Sequence, residues 1–434
     1  MPRLDRALFA ALGSTLSTVR GRAVSPAPPA AAVLPSPAAG LLANADFRRL
    51  WAVGLIVFSV RWLEMIVVGV FVYQHTDSAF DVALMTLLRM LPMALFGALI
   101  GAATERLERR KALAGVILLM LATSLCLTGL AYAGRLAVWH LAVASFSNGI
   151  AWAADNPVRR VMIGEAVGPD RMGRAMSIDV GANNASRMLG PVVGGLLLAG
   201  IGIAGAFTVS VACYAMALAA ALGVRHRSAQ VSPAAGAVLT RMVEGILSAW
   251  RDPRLVAILT ITVIYNVFGW PFTSMIPVIG QDNLHLGARG IGVLASMDGI
   301  GAFCGSIAIA LYARPAHYAR IYIGGVITYL IMLIAFALIP NVPLAGAALL
   351  FTGISNSAFS VMQATLIYLA APPEMRSRMY GVLSVCIGSG LIGFLFLGVL
   401  ADAIGAPWAT AATGVMGLLA LAATRRWWLR LATA

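Results

Sequence analysis

About twelve stretches of this chain, each roughly 20 residues long, are almost purely apolar, and a run of that length crosses a hydrocarbon core of about 30 Å as a helix. They lie near residues 50–73, 80–103, 112–134, 137–157, 174–198, 203–224, 255–280, 290–313, 321–340, 343–370, 379–402 and 406–424. With so many runs in 434 residues, little is left over for a soluble domain. Composition agrees, at 60% hydrophobic and 11% charged, where a soluble domain is about half apolar and a quarter charged. The expected fold class is an all-α membrane protein.

A net charge of +14 would suit a nucleic-acid binder if the basic residues gathered on one face of a soluble domain. They follow the loops instead. Of the 31 Lys and Arg, Arg61, Arg89 and Arg187 fall inside spans, and Arg135 and Arg289 fall on one side. All the others fall on the opposite side, in the N-terminal tail, in 104–111, 156–174, 225–254, 314–320 and 376–378, and at the C-terminus. That bias marks the cytoplasmic side and puts both termini there, which requires an even number of spans.

Residues 1–47 form a separate unit, an amphipathic Arg-bearing start followed by the Pro/Ala-rich SPAPPAAAVLPSPAAG. They lack the long apolar core of a secretory signal and read as a disordered cytoplasmic tail, although an acidic-poor start of this kind also resembles an organelle transit peptide. Cys126, Cys213, Cys304 and Cys386 all fall within spans. They read as small buried hydrophobes, without the spacing of a disulfide or metal framework.

An internal repeat divides the rest. Pro169, Asp170 and Arg174 in GPDRMGRAMS recur as Pro373, Glu374 and Arg378 in PPEMRSRMYG, between the fourth and fifth spans of each half. The expected organisation is two six-helix bundles, 48–224 and 255–424, with a C-terminal tail at 425–434. They are joined by a basic linker, 225–254, in which TRMVEGILSAWRDPRL can form an amphipathic surface helix.

The loop after the second span, GALIGAATERLERRKAL, resembles the signature G-x-x-x-D-R-x-x-R-R of the major facilitator superfamily, carried here by Gly101, Glu105, Arg106, Arg109 and Arg110. Glutamate replaces the usual aspartate. The run NPVRRVMIGEAVGPDRMGRAMS, followed by LGPVVGGLLLA, resembles more narrowly the bacterial exporters grouped with the enterobactin exporter. The resemblance implies two bundles in a bacterial inner membrane and a cytoplasmic gate. In that gate Glu105 faces the N-terminus of the eleventh helix, where the helix dipole favours an anion. Asp155 and Arg159, four apart at the end of the fourth span, could join it. Such a network closes the cytoplasmic side in the outward-open state.

The fifth span resembles the antiporter pattern G-x8-G-x3-G-P-x2-G, with Ser177, Ser186, Gly190, Pro191 and Gly194 at its positions. Serine replaces the first two glycines. Small residues at 186, 190 and 194 allow close helix approach, and Pro191 can kink the helix; ordinary small-residue packing explains the stripe equally well.

Ionisable residues inside lipid cost several kcal/mol and mark functional positions unless they form structural ion pairs. Here they are Arg61, Glu64, Arg89, Asp179, Arg187 and Asp298. Asp179, Asn183 and Arg187 share one stripe at four-residue spacing. Arg61 and Glu64 lie one turn apart and can meet each other across a shared cavity. Glu64, Asp179 and Asp298 are the proton-coupling candidates. Arg61, Arg89, Arg187, Asn183, Tyr265 and Trp270 are the candidates for the substrate cavity, with Phe272 as a further aromatic near it.

Catalytic readings fall away. Lys111 is the only lysine and no P-loop exists, so nucleotide hydrolysis by this chain does not drive transport. There is no H-E-x-x-H or G-x-S-x-G, and no metal site or cofactor is expected. The reading is a monomeric secondary transporter that moves a small organic solute by alternating access, with protons and the bilayer as its other partners. Export by proton antiport leads; a proton-coupled importer of an organic anion and a transporter-like sensor are the alternatives. The cavity charge favours an anionic or zwitterionic solute, such as a siderophore.

Overall fold

The computed structural model describes residues 39–106, 108–225, 252–371 and 376–433. Most of the N-terminal tail and of the basic linker, together with Pro373 and Glu374 of the second repeat, lie outside the described residues, and so do the expectations placed on them. Among the described residues, nine helical segments are long and apolar enough to cross a membrane. One of these serves as two spans, and the charge-bearing helices Ala79–Arg106 and Val138–Val167 complete a set of twelve.

The first span, Ala45–Thr76, starts at Asn44, whose side-chain oxygen accepts from the amides of Asp46 (3.0 Å) and Phe47 (3.2 Å). Such a cap satisfies donors that have no partner inside the helix. The second to fourth spans are Ala79–Arg106, Arg109–Tyr132 and Val138–Val167. The fifth and sixth are the two arms of Pro169–Leu222, whose 54 residues would rise about 80 Å if straight. They part at Gly202 (φ 67, ψ −176), a conformation that only glycine adopts readily. The backbone thus leaves helical dihedrals at Gly202 and not at Pro191, where the sequence suggested a kink.

In the second half the spans are Pro253–Asp282, Ala288–Tyr312, Tyr318–Leu338, Val342–Ala370, a broken eleventh, and Ala406–Ala423. The seventh is not the uninterrupted helix expected over 255–280. It runs as an α-helix to Ile264, widens into a π turn over Tyr265–Gly269, tightens to a 3-10 segment over Trp270–Met275, and resumes at Ile276. Pro271 and Pro277 lack the amides that a regular helix would use there. The eleventh span breaks between Arg376–Gly388 and Gly390–Ile404. The two irregular spans pack together, with Pro271 close to where a Cβ on Gly393 would sit (2.7 Å). Irregular backbone at this depth is tolerated where protein covers it.

The halves are packed tightly from mid-span towards the arginine-poor end. Gly195 of the fifth span and Gly292 of the eighth cross so closely that a Cβ on either would lie 3.1 Å from the other's Cα. Gly398 of the eleventh backs onto Phe80 and Ala83 of the second, and Gly69 of the first onto Pro277. At the very end Tyr73 donates to Asp282, while Asp402 accepts from Ser78 Oγ (3.0 Å) and from the Phe80 amide (2.9 Å). The Asp402 carboxylate thereby caps the N-terminus of a helix in the opposite half. A cleft of about 720 Å³ opens outward beside these contacts, lined by Tyr73, Asp77, Asp282, Asn283 and Trp408 among others.

At the arginine-rich end, the residues expected to form a tail make a short helix, Arg425–Thr433, which packs against the start of the seventh span. Trp428 anchors it by donating to the Leu421 carbonyl (2.8 Å).

Candidate functional site

The polar stripe of the fifth span organises the membrane interior. Asp179, Asn183 and Arg187 rise in steps of about 6 Å, and each meets a different partner. The result is three tiers of charge stacked through the first half.

The tier nearest the arginine-rich end is an ion-pair cluster whose core, Asp155, Arg159 and Asp179, has almost no exposure. Arg159, 0% exposed, contacts Asp155 (3.4 Å) and Asp179, and lies over the Phe58 ring at 4.8 Å. Arg160 adds a second cation to Asp179 at 3.6 Å. Gly54 makes room: a Cβ there would sit 2.7 Å from the Arg159 guanidinium carbon. Asp155 and Arg159 therefore pair as their spacing suggested, and Asp179, a proton-coupling candidate, is held between two arginines. Removing one partner from such a cluster strands a buried charge, which gives it the character of a structural clamp.

Arg61 occupies the middle tier. Its Nη2 donates to Asn183 Oδ1 (2.9 Å), and its guanidinium sits 4.8 Å from the Trp152 ring centroid, 5.1 Å from Phe58 and 5.6 Å from Trp62. The expected meeting with Glu64 does not occur. Instead Glu64, 2% exposed, is bound from the second, third and fourth spans. Arg89 Nη2 lies 3.4 Å away, Ser124 Oγ 3.1 Å and Asn148 Nδ2 3.3 Å. One helical turn lets the two side chains diverge, and Arg89, entering from the second span, reaches the carboxylate first. Arg89 also donates to the backbone carbonyl of Arg61 (3.3 Å), so the two sites share a residue. Beside them a small cavity of about 40 Å³, bounded by Thr86 and Arg89 on one half and Thr273 and Ser274 on the other, has room for about one water.

The third tier joins the halves. Arg187 of the fifth span pairs with Asp298 of the eighth and lies 5.5 Å from the Trp62 ring. With its amide Nδ2 turned to donate to Tyr265 Oη (2.8 Å), Asn356 of the tenth span accepts from Arg187 Nη2 (3.0 Å). Tyr265 was a candidate for the substrate cavity. It is 3% exposed and stacks on Phe359 at 3.8 Å, because the π turn rotates it into the aromatic core of the second half. Phe272 lies in the same core, edge-on to Tyr329 and Phe336. Trp270 is half-buried and packs edge-on to Phe394 (5.7 Å) beside the helix break at Gly390.

The antiporter-like stripe faces the first span. Ser186 Oγ lies 3.0 Å from Ser59 Oγ, and a Cβ on Gly190 or Gly194 would fall 2.5 Å from Trp62 Cβ or 2.6 Å from the Leu63 carbonyl oxygen. Pro191 faces the other way, towards Gly292, while Ser177 lies on the exposed surface. The surroundings of Gly101 and the side chains of Glu105 and Arg106 lie outside what the structure describes. Arg109 pairs with Glu165, and Arg110 donates to the Leu222 carbonyl. Both contacts stay within the first half.

Sequence reasoning missed Ser124, Asn148, Trp62, Trp152, Arg160 and Asn356. The polar triplet Ser355–Asn356–Ser357, isolated inside an apolar span, was the legible signal among them.

The Major Facilitator Superfamily profile matches residues 50–391. The chain belongs to this superfamily. It is a multi-pass secondary transporter and not an enzyme. "Multidrug efflux pump Tap" of Mycolicibacterium fortuitum is 25% identical, with 81% of this chain and 86% of that protein covered. "Macrolide efflux protein A" of Streptococcus pyogenes is 23% identical, covering 83% and 90%. A bacterial homologue of the human lysosomal transporter Spinster, solved inward-facing and unoccupied, superposes at a TM-score of 0.71 and 16% identity, covering 89% and 97%. The nucleoside transporter NupG superposes at 0.71 and 11% identity, covering 88% and 98%. These two likenesses are of fold alone.

Proposed function

We propose that this superfamily member exports an amphipathic, drug-like organic solute from a bacterial cytoplasm in exchange for protons. Both termini lie in the cytoplasm, and the arginine-poor end faces outward. The conformation described here, shut at the arginine-poor end, is then the inward-facing one. The observation that carries the coupling is Glu64, a mid-membrane carboxylate bound by one arginine and two neutral groups drawn from three other spans. Its negative charge must be cancelled either by Arg89 or by a proton. Any step that draws Arg89 away is a step that loads a proton.

The printed names of the relatives, multidrug and macrolide pumps, support drug-like solutes over siderophores. They also favour export over uptake. The test is proton-driven accumulation of a macrolide in everted vesicles. Glu64→Gln should lower it by at least about tenfold, the scale of one lost charged hydrogen bond, while solute exchange without a gradient continues. Wild-type accumulation by the Gln variant would remove Glu64 as the carrier.

A further inference from the structure

The four buried or half-buried arginines of the tiers, Arg61, Arg89, Arg159 and Arg187, are not equivalent. Arg89 is neutralised by Glu64, Arg159 by Asp155 and Asp179, and Arg187 by Asp298. Arg61 is different. Among the described residues no carboxylate forms an ion pair with it; its polar side-chain contact is the neutral amide of Asn183. Asp155, one turn from Trp152 on the same helix, attracts Arg61 from beyond contact distance but makes its ion pair with Arg159. Three ring faces attract a guanidinium by about 0.5–2 kcal/mol each, yet neither rings nor an amide cancel a charge held in lipid. One neighbouring donor is idle: Trp62, whose ring centre lies 5.6 Å from the Arg61 guanidinium, has a buried indole N–H without a partner.

We infer that Arg61 and the rings around it form a receptor for the carboxylate of a planar aromatic acid. The inference rests on the export reading and adds aromatic acids to the solutes that the transporter takes. A guanidinium offers its planar fork to both oxygens of a carboxylate, and Asn183 takes only one of its donors. The Trp62 N–H supplies another, while Trp62 and Trp152, both half-buried, give faces on which a flat ring can stack. The receptor is also wired to the proton site, because the backbone carbonyl of Arg61 holds Arg89. A carboxylate that draws the Arg61 residue towards itself moves that carbonyl and loosens Arg89 from Glu64.

The test uses the full chain in lipid nanodiscs without any gradient, with nalidixic acid, a planar aromatic carboxylate, as the probe and its methyl ester as the neutral twin. Equilibrium dialysis should show the acid binding about tenfold or more tighter than the ester, the difference expected for a charge-assisted hydrogen-bonded pair. Arg61→Gln should bring the two within about twofold, and Arg61→Lys should keep part of the preference. Trp62→Phe, which keeps a ring but removes the N–H, should weaken the acid several-fold and leave the ester unchanged, and it serves if the glutamine variant fails to fold. Equal binding of acid and ester by the wild type, or an undiminished preference in Arg61→Gln, would overturn the inference. Macrolide export that persists without any acid preference sinks this receptor alone, whereas an acid preference without proton-driven export sinks the export reading alone.

Discussion

Asp179 and Glu64 are both buried acids on the first half, and their neighbours separate their roles. Asp179 sits between the buried Arg159, which also contacts Asp155, and the partly exposed Arg160. Breaking a buried pair of this kind costs about 3–5 kcal/mol. Arg159→Met should therefore lower the melting temperature by several degrees and reduce the yield of folded protein, which a thermal-shift assay in detergent would register. An unchanged melting temperature would mean that Asp179 finds its charge balance elsewhere. Arg187 calls for a different expectation. Its pairing with Asp298 and its contact with Asn356 make it a bridge between halves. Arg187→Ala should impair transport of acidic and neutral solutes alike, and in a double-mutant cycle with Asp298→Ala the two losses should be less than additive by about 1 kcal/mol or more. Full additivity would show that the pair does not act as a unit.

At the scale of elements, much was legible and the exceptions have physical causes. The long apolar runs, and the small residues at 186, 190 and 194, correspond to helices and to a close crossing, because length, hydropathy and side-chain size are local properties. The partner of Glu64 was not legible. Arg61 at one helical turn and Arg89 on another span were equally available by spacing, and only the tertiary path of the second span decides between them. The π turn at Tyr265 was hidden for a related reason: the prolines that disturb this span, Pro271 and Pro277, lie several residues further on, and Tyr265 ends in the aromatic core of the second half. The crossing of the fifth and eighth spans carries its own prediction. Gly292→Val puts side-chain atoms where the Gly195 backbone lies, and overpacking costs about 1–3 kcal/mol. Spin labels at Asp77→Cys and Asn283→Cys, on opposite sides of the outer cleft in a chain stripped of its four native cysteines, should then move apart. An unchanged distance distribution would show that the glycine crossing does not hold that end shut.

For the whole molecule, the contacts at the arginine-poor end set a conformational equilibrium. Asp402, at the end of the eleventh span, caps the second span across the boundary between halves. The gate that the family resemblance implies at the opposite end uses the same two spans in reverse, with an acid at the end of the second facing the start of the eleventh. A carboxylate cap is worth about 0.5–2 kcal/mol. Asp402→Asn should thus shift the ratio of inward-facing to outward-facing molecules by roughly two- to thirtyfold towards the latter, read from the same pair of spin labels. A ratio that stays put would confine Asp402 to local helix capping.

The polar tiers belong almost wholly to the first half, whereas the second half contributes Asp298, Asn356 and a wall of stacked tyrosines and phenylalanines. The two bundles carry traces of a common repeat, so this imbalance reads as a division of labour after duplication. The copy that carries the charges is constrained, since most of its buried ionised groups, Arg61 apart, are held by a counter-charge. The copy that carries the rings is freer, because one apolar side chain of similar volume can replace another at little cost. On the proposed export reading, selection by a new compound should leave the charged tiers of the first half intact and accumulate substitutions mainly in spans seven to twelve.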